Sequence, residues 1–313
     1  MEDKVSIRGR TARRMVRFAN QFPLWSEKMQ SGELRLKLYE REKKWECPKH
    51  LELETFEENN VLMEWLKKKE TVSEGIILQL HGGGYYGKLR NVYRDMAGMY
   101  NEVSNGLDVL SVDYRVAPEF PFPAALEDAI AAYQWILNHN YSLDKVFVAG
   151  DSAGGGLALA LCLYLRDHHL PMPAGVITMS AWTDLTKSGE SYQENFKIDP
   201  IFGQNKHSLV YKDGYYRNDT PDNPYISPVK GEYHGFPPVL MQVGEYEMLL
   251  SDTCTVAQKA REAGVMVKEH IYTGMFHVFQ MGLLLYPEAK EAWLEVGRFI
   301  RSLIKKTDRG KNV

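Results

Sequence analysis

The chain has 313 residues, 44% hydrophobic and 25% charged, which suits one large α/β domain with a small appendage and excludes a disordered or fibrous chain. Its net charge of −3 gives no global attraction for nucleic acid or an anionic membrane. Cys47, Cys162 and Cys254 stand at unrelated spacings, neither a disulfide framework nor a zinc pattern, and no apolar run is long enough for a signal peptide or a membrane span, so a cytoplasmic protein is expected.

Residues 1–45 read as helical, with a break near Pro23 and a turn at Ser31-Gly32. Residues 1–46 hold 12 Lys/Arg against 7 Asp/Glu, and Arg8, Arg10, Arg13, Arg14 and Arg17 crowd the start. Ala12, Met15, Val16 and Ala19 recur at helical spacing beneath them, which predicts a solvated basic face on a helix packed against the domain. From Leu51 the pattern turns to strands at 51–57 and 61–67, with Glu58-Asn59-Asn60 as the turn between them.

Strands and helices then alternate. Strands are predicted at 75–81, 107–113, 145–150, 174–180, 238–243 and 267–272, and helices at 91–104, 124–139, 153–168, 252–263 and 287–305. Near-continuous apolar strands alternating with helices predict an α/β fold with a mostly parallel sheet of eight strands, covered on both faces, whose opening hairpin is the antiparallel edge. Residues 187–236 break the alternation with a polar, aromatic, Pro-punctuated stretch, read as part of a lid.

Two short motifs carry chemistry. Gly150-Asp151-Ser152-Ala153-Gly154 follows the apolar run Val146–Ala149 and opens a helix that is apolar all round. A serine there sits on a sharp strand-to-helix turn, where a Cβ on the flanking residues would clash. His81-Gly82-Gly83-Gly84 closes the buried run Ile76–Leu80 and can turn bare backbone N–H groups toward an oxyanion. The serine motif alone is weak; the two together, each after a buried strand, point to acyl transfer.

A nucleophilic serine needs a base and a group that orients it. Of nine histidines, His277 alone follows the last predicted strand in a short loop before the C-terminal helix. Strand carboxyl ends are where sites gather in such sheets, and the order Ser, acid, His places the acid after strand 238–243. Glu245, Glu247 and Asp252 are the candidates; Asp252 also suits a charge at a helix start, and Glu245 would sit deeper, toward the strand.

On HGGGYYG (81–87), DYRVAPEFPFPAALEDA (113–129), GDSAGGG (150–156), SAWTDLT (180–186) and MFHVFQM (275–281), the chain resembles the bacterial hormone-sensitive-lipase-like esterases (family IV) of the α/β-hydrolase superfamily over roughly residues 50–305. The resemblance implies a carboxylic-ester hydrolase acting on short-chain esters, with no cofactor and no metal. It makes Ser152 the nucleophile and His277 the base, with the oxyanion hole drawn from Gly82, Gly83, Gly84 and the Ala153 N–H. The acid of similar enzymes is often an Asp; at the matching spacing, 277 − 30 = 247, this chain has Glu247, preceded by Tyr246.

The resemblance further implies a cap built from residues 1–45 and an insertion at about 187–225, on a catalytic domain spanning 46–313. Tyr85, Tyr86, Trp182 and Phe279 are candidates for the substrate pocket, and the block from Asp113 to Glu119 is read as bracing for the elbow. The expected partner is a small ester, with neither nucleic acid nor membrane and with a homodimer left open. The rival readings are an amide or formamide hydrolase using the same triad, and a catalytically silent small-molecule receptor of the same fold.

Overall fold

The structure, a computed structural model, describes residues 5–20, 41–205 and 208–310. Eight strands form one sheet in the order β1-β2-β4-β3-β5-β6-β7-β8. They are β1 (Leu51–Glu58), β2 (Val61–Lys68), β3 (Ile76–Leu80), β4 (Asp108–Asp113), β5 (Val146–Asp151), β6 (Gly175–Met179), β7 (Val239–Gly244) and β8 (Val267–Tyr272). β2 runs antiparallel to both β1 and β4, and the remaining pairs are parallel, so the hairpin is the antiparallel edge of an otherwise parallel sheet.

The central strands are apolar on both sides because both sides are covered. Val146 and Val148 of β5 join one core, with α3 (Ala124–Asn138), α4 (Ala153–Asp167) and α6 (Leu250–Glu262). Phe147 and Ala149, between them in the chain, join the opposite core with Tyr93, Met96 and Tyr100 of α2 (Asn91–Val103) and Trp293 and Phe299 of α7 (Pro287–Gly310). Twelve of the fifteen residues of α4 are buried, which accounts for a helix with no polar face.

At the N-terminus, α1 (Ile7–Asn20) is the only part of the expected helical stretch that the described residues hold: 21–40 lie outside them, and 41–50 are loop and turn. The Ser6 side chain accepts the Gly9 N–H, and Glu288 of α7 receives both the Ser6 N–H and its hydroxyl, so the start of α1 is capped and anchored together. Ala12 and Val16 pack inward as expected, but Met15 and Ala19 face outward with Ile7 and Phe18. The buried centre of the helix is Gly9, where an added Cβ would stand 2.8 Å from the Glu288 carboxylate, so the backbone rather than an apolar side chain makes the close approach. Among its described residues, the insertion at 187–225 is held by tight turns, one short α-helix, α5 (Ser191–Glu194), and single 3-10 turns at Asn195–Lys197 and Leu209–Tyr211, rather than by a helical layer.

Candidate active site

Ser152 stands between β5 and α4 with φ 52° and ψ −123°, a backbone region that a residue with a side chain enters only when its surroundings hold it there. They do so on three sides. The Ser152 N–H donates to the Met179 carbonyl, and its carbonyl accepts the N–H groups of Trp182 and Gly156. The turn has no room for side chains at its glycines: a Cβ on Gly154 would lie 2.0 Å from the Leu80 carbonyl oxygen.

His277 and Ser152 are 125 residues apart in the chain, yet His277 Nε2 lies 2.9 Å from Ser152 Oγ. On its other side, His277 Nδ1 lies 2.9 Å from Glu247 Oε2. All three side chains are buried, Glu247 completely and the other two at 6–7% exposure, so the hydrogen-bonded line runs through a low-dielectric setting where each contact is strong. The second oxygen of Glu247 accepts the Ser180 hydroxyl at 2.7 Å and the Gly244 N–H. Ser180 in turn accepts the Val278 N–H at 3.0 Å, so one hydroxyl ties the acid to the residue after the histidine. The sequence alone does not mark Ser180 as part of the site. Its signal was its place at the carboxyl end of β6, opening the motif at 180–186.

The other two acids do different work. Glu245 is less buried than Glu247, the reverse of the expected order, and accepts the Gly274 N–H. Asp252 lies in the first turn of α6, the helix start expected of it, and is 1% exposed; its Oδ2 accepts the N–H groups of Thr183 and Asp184, both at 2.8 Å. From there its side chain braces the loop after β6, and burial raises its carboxyl well above the usual range.

Gly83, Gly84 and Ser152 border a cavity of about 140 Å³ whose walls include Trp182, Ile201, Phe202, Val210, Leu249 and Met281. Gly83 and Gly84 have φ of 112° and 66°, conformations open to glycine. Gly82 departs from expectation, because its N–H is bonded to Asp151 Oδ1 at 3.1 Å. Ala153 heads α4 beside Ser152, and Gly83 and Gly84 belong to the loop that faces it across the cavity. The Asp113–Glu119 block braces this loop rather than the elbow: Tyr114 stacks on His81 at 4.1 Å and donates its hydroxyl to the His81 carbonyl.

Of the expected pocket residues only Trp182 belongs to the cavity wall. Tyr85 has a left-handed backbone (φ 63°) that turns its ring away, to stack on Tyr215 at 3.7 Å. Tyr86 is half-buried beside Lys212, and Phe279 is fully buried against Tyr272. Among the described residues, no group of three or more His, Cys, Asp and Glu is placed to hold a metal ion, and no helix is long and apolar enough to cross a membrane.

A family model described as alpha/beta hydrolase fold matches residues 77–281. The chain is 35% identical over 237 residues to an esterase of Acinetobacter venetianus, covering 75% of this chain and 78% of that one. It is 36% identical over 226 residues to an acetyl-hydrolase of Streptomyces hygroscopicus, covering 72% and 75%. Among solved structures it is similar to an esterase from the bacterial hormone-sensitive lipase family, at 32% identity and a TM-score of 0.85, over 96% of this chain and 99% of that one.

Proposed function

The chain belongs to the bacterial hormone-sensitive-lipase esterases of the alpha/beta hydrolase fold and is a carboxylic-ester hydrolase, and from that premise we propose that it cleaves short-chain esters through Ser152, His277 and Glu247. The observation that carries the proposal is the unbroken line Ser152 Oγ, His277 Nε2, His277 Nδ1, Glu247 Oε2, each hydrogen-bond contact being 2.9 Å.

The chemistry follows from that line. Ser152 Oγ attacks the ester carbonyl as its proton passes to His277 Nε2. Glu247 accepts the Nδ1–H, which fixes the tautomer and stabilises the imidazolium as it forms. The carbonyl oxygen becomes an oxyanion and is met by the N–H groups of Gly83, Gly84 and Ala153. Collapse of the tetrahedral adduct breaks the bond to the alcohol, which leaves with the proton from His277. Water then attacks the acyl-serine with His277 again as base, releasing the acid and restoring the serine hydroxyl.

Short chains are favoured by the size of the space. The cavity of about 140 Å³ lies well below the roughly 300–1,000 Å³ that hold a drug-sized ligand, and Phe202, its ring 4.6 Å from that of His277, closes it on one side. We expect p-nitrophenyl esters with acyl chains of roughly two to six carbons to be turned over best. A kcat/KM series that peaks at twelve carbons or more would overturn this part of the proposal.

A further inference from the structure

The segment that follows the catalytic core's sixth strand returns to the site by a strip of polar side chains four residues apart. Ser191 Oγ donates to the Met248 carbonyl at 2.6 Å. Asn195 Nδ2 donates to the carbonyls of Glu245 and Glu247, at 3.0 and 2.7 Å. Asp199 completes the strip from the opposite polarity: its Oδ2 accepts the Met248 N–H at 2.7 Å. The three residues lie on successive helical or near-helical turns, so their side chains share one face and grip one loop, the loop that carries Glu247.

Asp199 differs from the other two in having a second hand. Its Oδ1 accepts the N–H groups of Ile201 and Phe202, at 2.7 and 2.9 Å. Those two residues line the cavity beside Ser152. A carboxylate that is only 5% exposed and receives three backbone N–H groups is a rigid joint, since every bond is charge-assisted and made in a buried setting. The wall of the cavity and the loop of the acid therefore meet at a single side chain.

We infer that Asp199 is a positioning residue for ester hydrolysis with two separable parts: Oδ1 sets the Ile201–Phe202 wall that limits the acyl group, and Oδ2 holds the Glu247 loop in line with His277. The inference rests on the reading of Ser152, His277 and Glu247 as the triad. It goes beyond it in assigning acyl-chain selection to a residue that touches neither the substrate nor the triad side chains.

The geometry separates the two parts by substitution. In Asp199→Asn one oxygen remains, and it satisfies two donors when it faces Ile201 and Phe202. The amide nitrogen then meets the Met248 N–H, donor against donor, so the wall is kept and the tie to the acid loop is lost. Asp199→Ala removes both.

The test is steady-state kinetics on p-nitrophenyl esters from acetate to dodecanoate, with active sites counted by phosphonate titration. Asp199→Asn should lower kcat per active site by about tenfold or more through a misplaced acid while leaving the ranking of chain lengths unchanged. Asp199→Ala should show the same loss together with a shift toward longer acyl chains. If Asp199→Ala does not fold, Phe202→Ala supplies the wall defect alone, and its double variant with Asp199→Asn should combine the longer-chain shift with the fall in kcat. Per-site kcat and chain ranking that match wild type in Asp199→Asn and Asp199→Ala would overturn the inference, as would a chain-length shift in Asp199→Asn with kcat intact. Failure of the wild-type protein to hydrolyse any ester in the series would instead strike the triad reading.

Discussion

Glu247 and Asp252 are both buried carboxylates after β7, and what separates them is the partner of each oxygen. Glu247 gives one oxygen to His277 Nδ1 and the other to Ser180 and Gly244, so the loss of its charge is felt by the base. Glu247→Gln is expected to lower turnover by about 10²–10⁴, since the amide can present a donor to the imidazole and favour the wrong tautomer. Asp252 serves two N–H groups through one oxygen, which an amide can also do. Asp252→Asn should therefore stay close to wild type, while Asp252→Ala, leaving two buried donors unpaired, should cost about 1–3 kcal/mol in a denaturant titration with the triad still in place. Loss of turnover in Asp252→Asn with near-normal Glu247→Gln would reverse the two roles. Chain order narrowed the acid to three positions and the spacing of similar enzymes singled out Glu247, but sequence put the burial of Glu245 and Glu247 the wrong way round. It could not find Ser180 or Asp199 either, because the partners that tie them to the acid and its loop lie 67 and 49 residues away and short-range pattern carries no trace of those ties. Tyr85 and Phe279 misled for a related reason: an aromatic beside a motif says nothing of which way its backbone turns it.

At the scale of the element, the strand-turn-helix at Ser152 was legible because steric need shows directly in composition. Gly154 must let Leu80 pass, and a methyl group there would meet its carbonyl oxygen at 2.0 Å. Gly154→Ala should destabilise by at least ~1–3 kcal/mol and displace Ser152 from its turn, read as lower denaturant midpoint and lost turnover together. Gly98 is the matched control: it lies within α2, nothing stands within 4 Å of the place its Cβ would take, and Gly98→Ala should stabilise by about 0.5–1 kcal/mol through helix propensity alone. Equal midpoints for the two variants would contradict the steric account of the elbow. The strands were read within a residue or two because buried parallel strands are short apolar runs bounded by turns. The insertion was not, since tight turns held by Asp and Asn side chains have no period.

For the molecule as a whole, a catalytic centre buried in the middle of an apolar fold leaves its mark on the pH dependence of stability. Burial pushes the Asp151 carboxyl up to about 7 and Asp199 up to about 6, against an ordinary value of 3.8. A carboxyl raised on folding stabilises the protein fully below its unfolded value and loses that contribution as pH rises through the folded one. His81, lowered by burial, acts in the opposite sense below its ordinary 6.5, so above 6.5 the fall comes from the raised carboxyls, Asp151 and Asp252 among them. Between pH 6.5 and 8 the denaturant midpoint of the wild-type protein should fall, and Asp151→Asn, which keeps an acceptor for the Gly82 N–H, should reduce that slope; an unchanged slope would remove Asp151 as one of its sources. The central claim is tested more directly by covalent chemistry. A serine-reactive phosphonate, followed by intact mass and peptide mapping, should add one group per chain at Ser152, with none on Ser152→Ala and with loss of esterase activity in step with labelling; a labelled Ser152→Ala protein, or full activity after complete labelling, would contradict it.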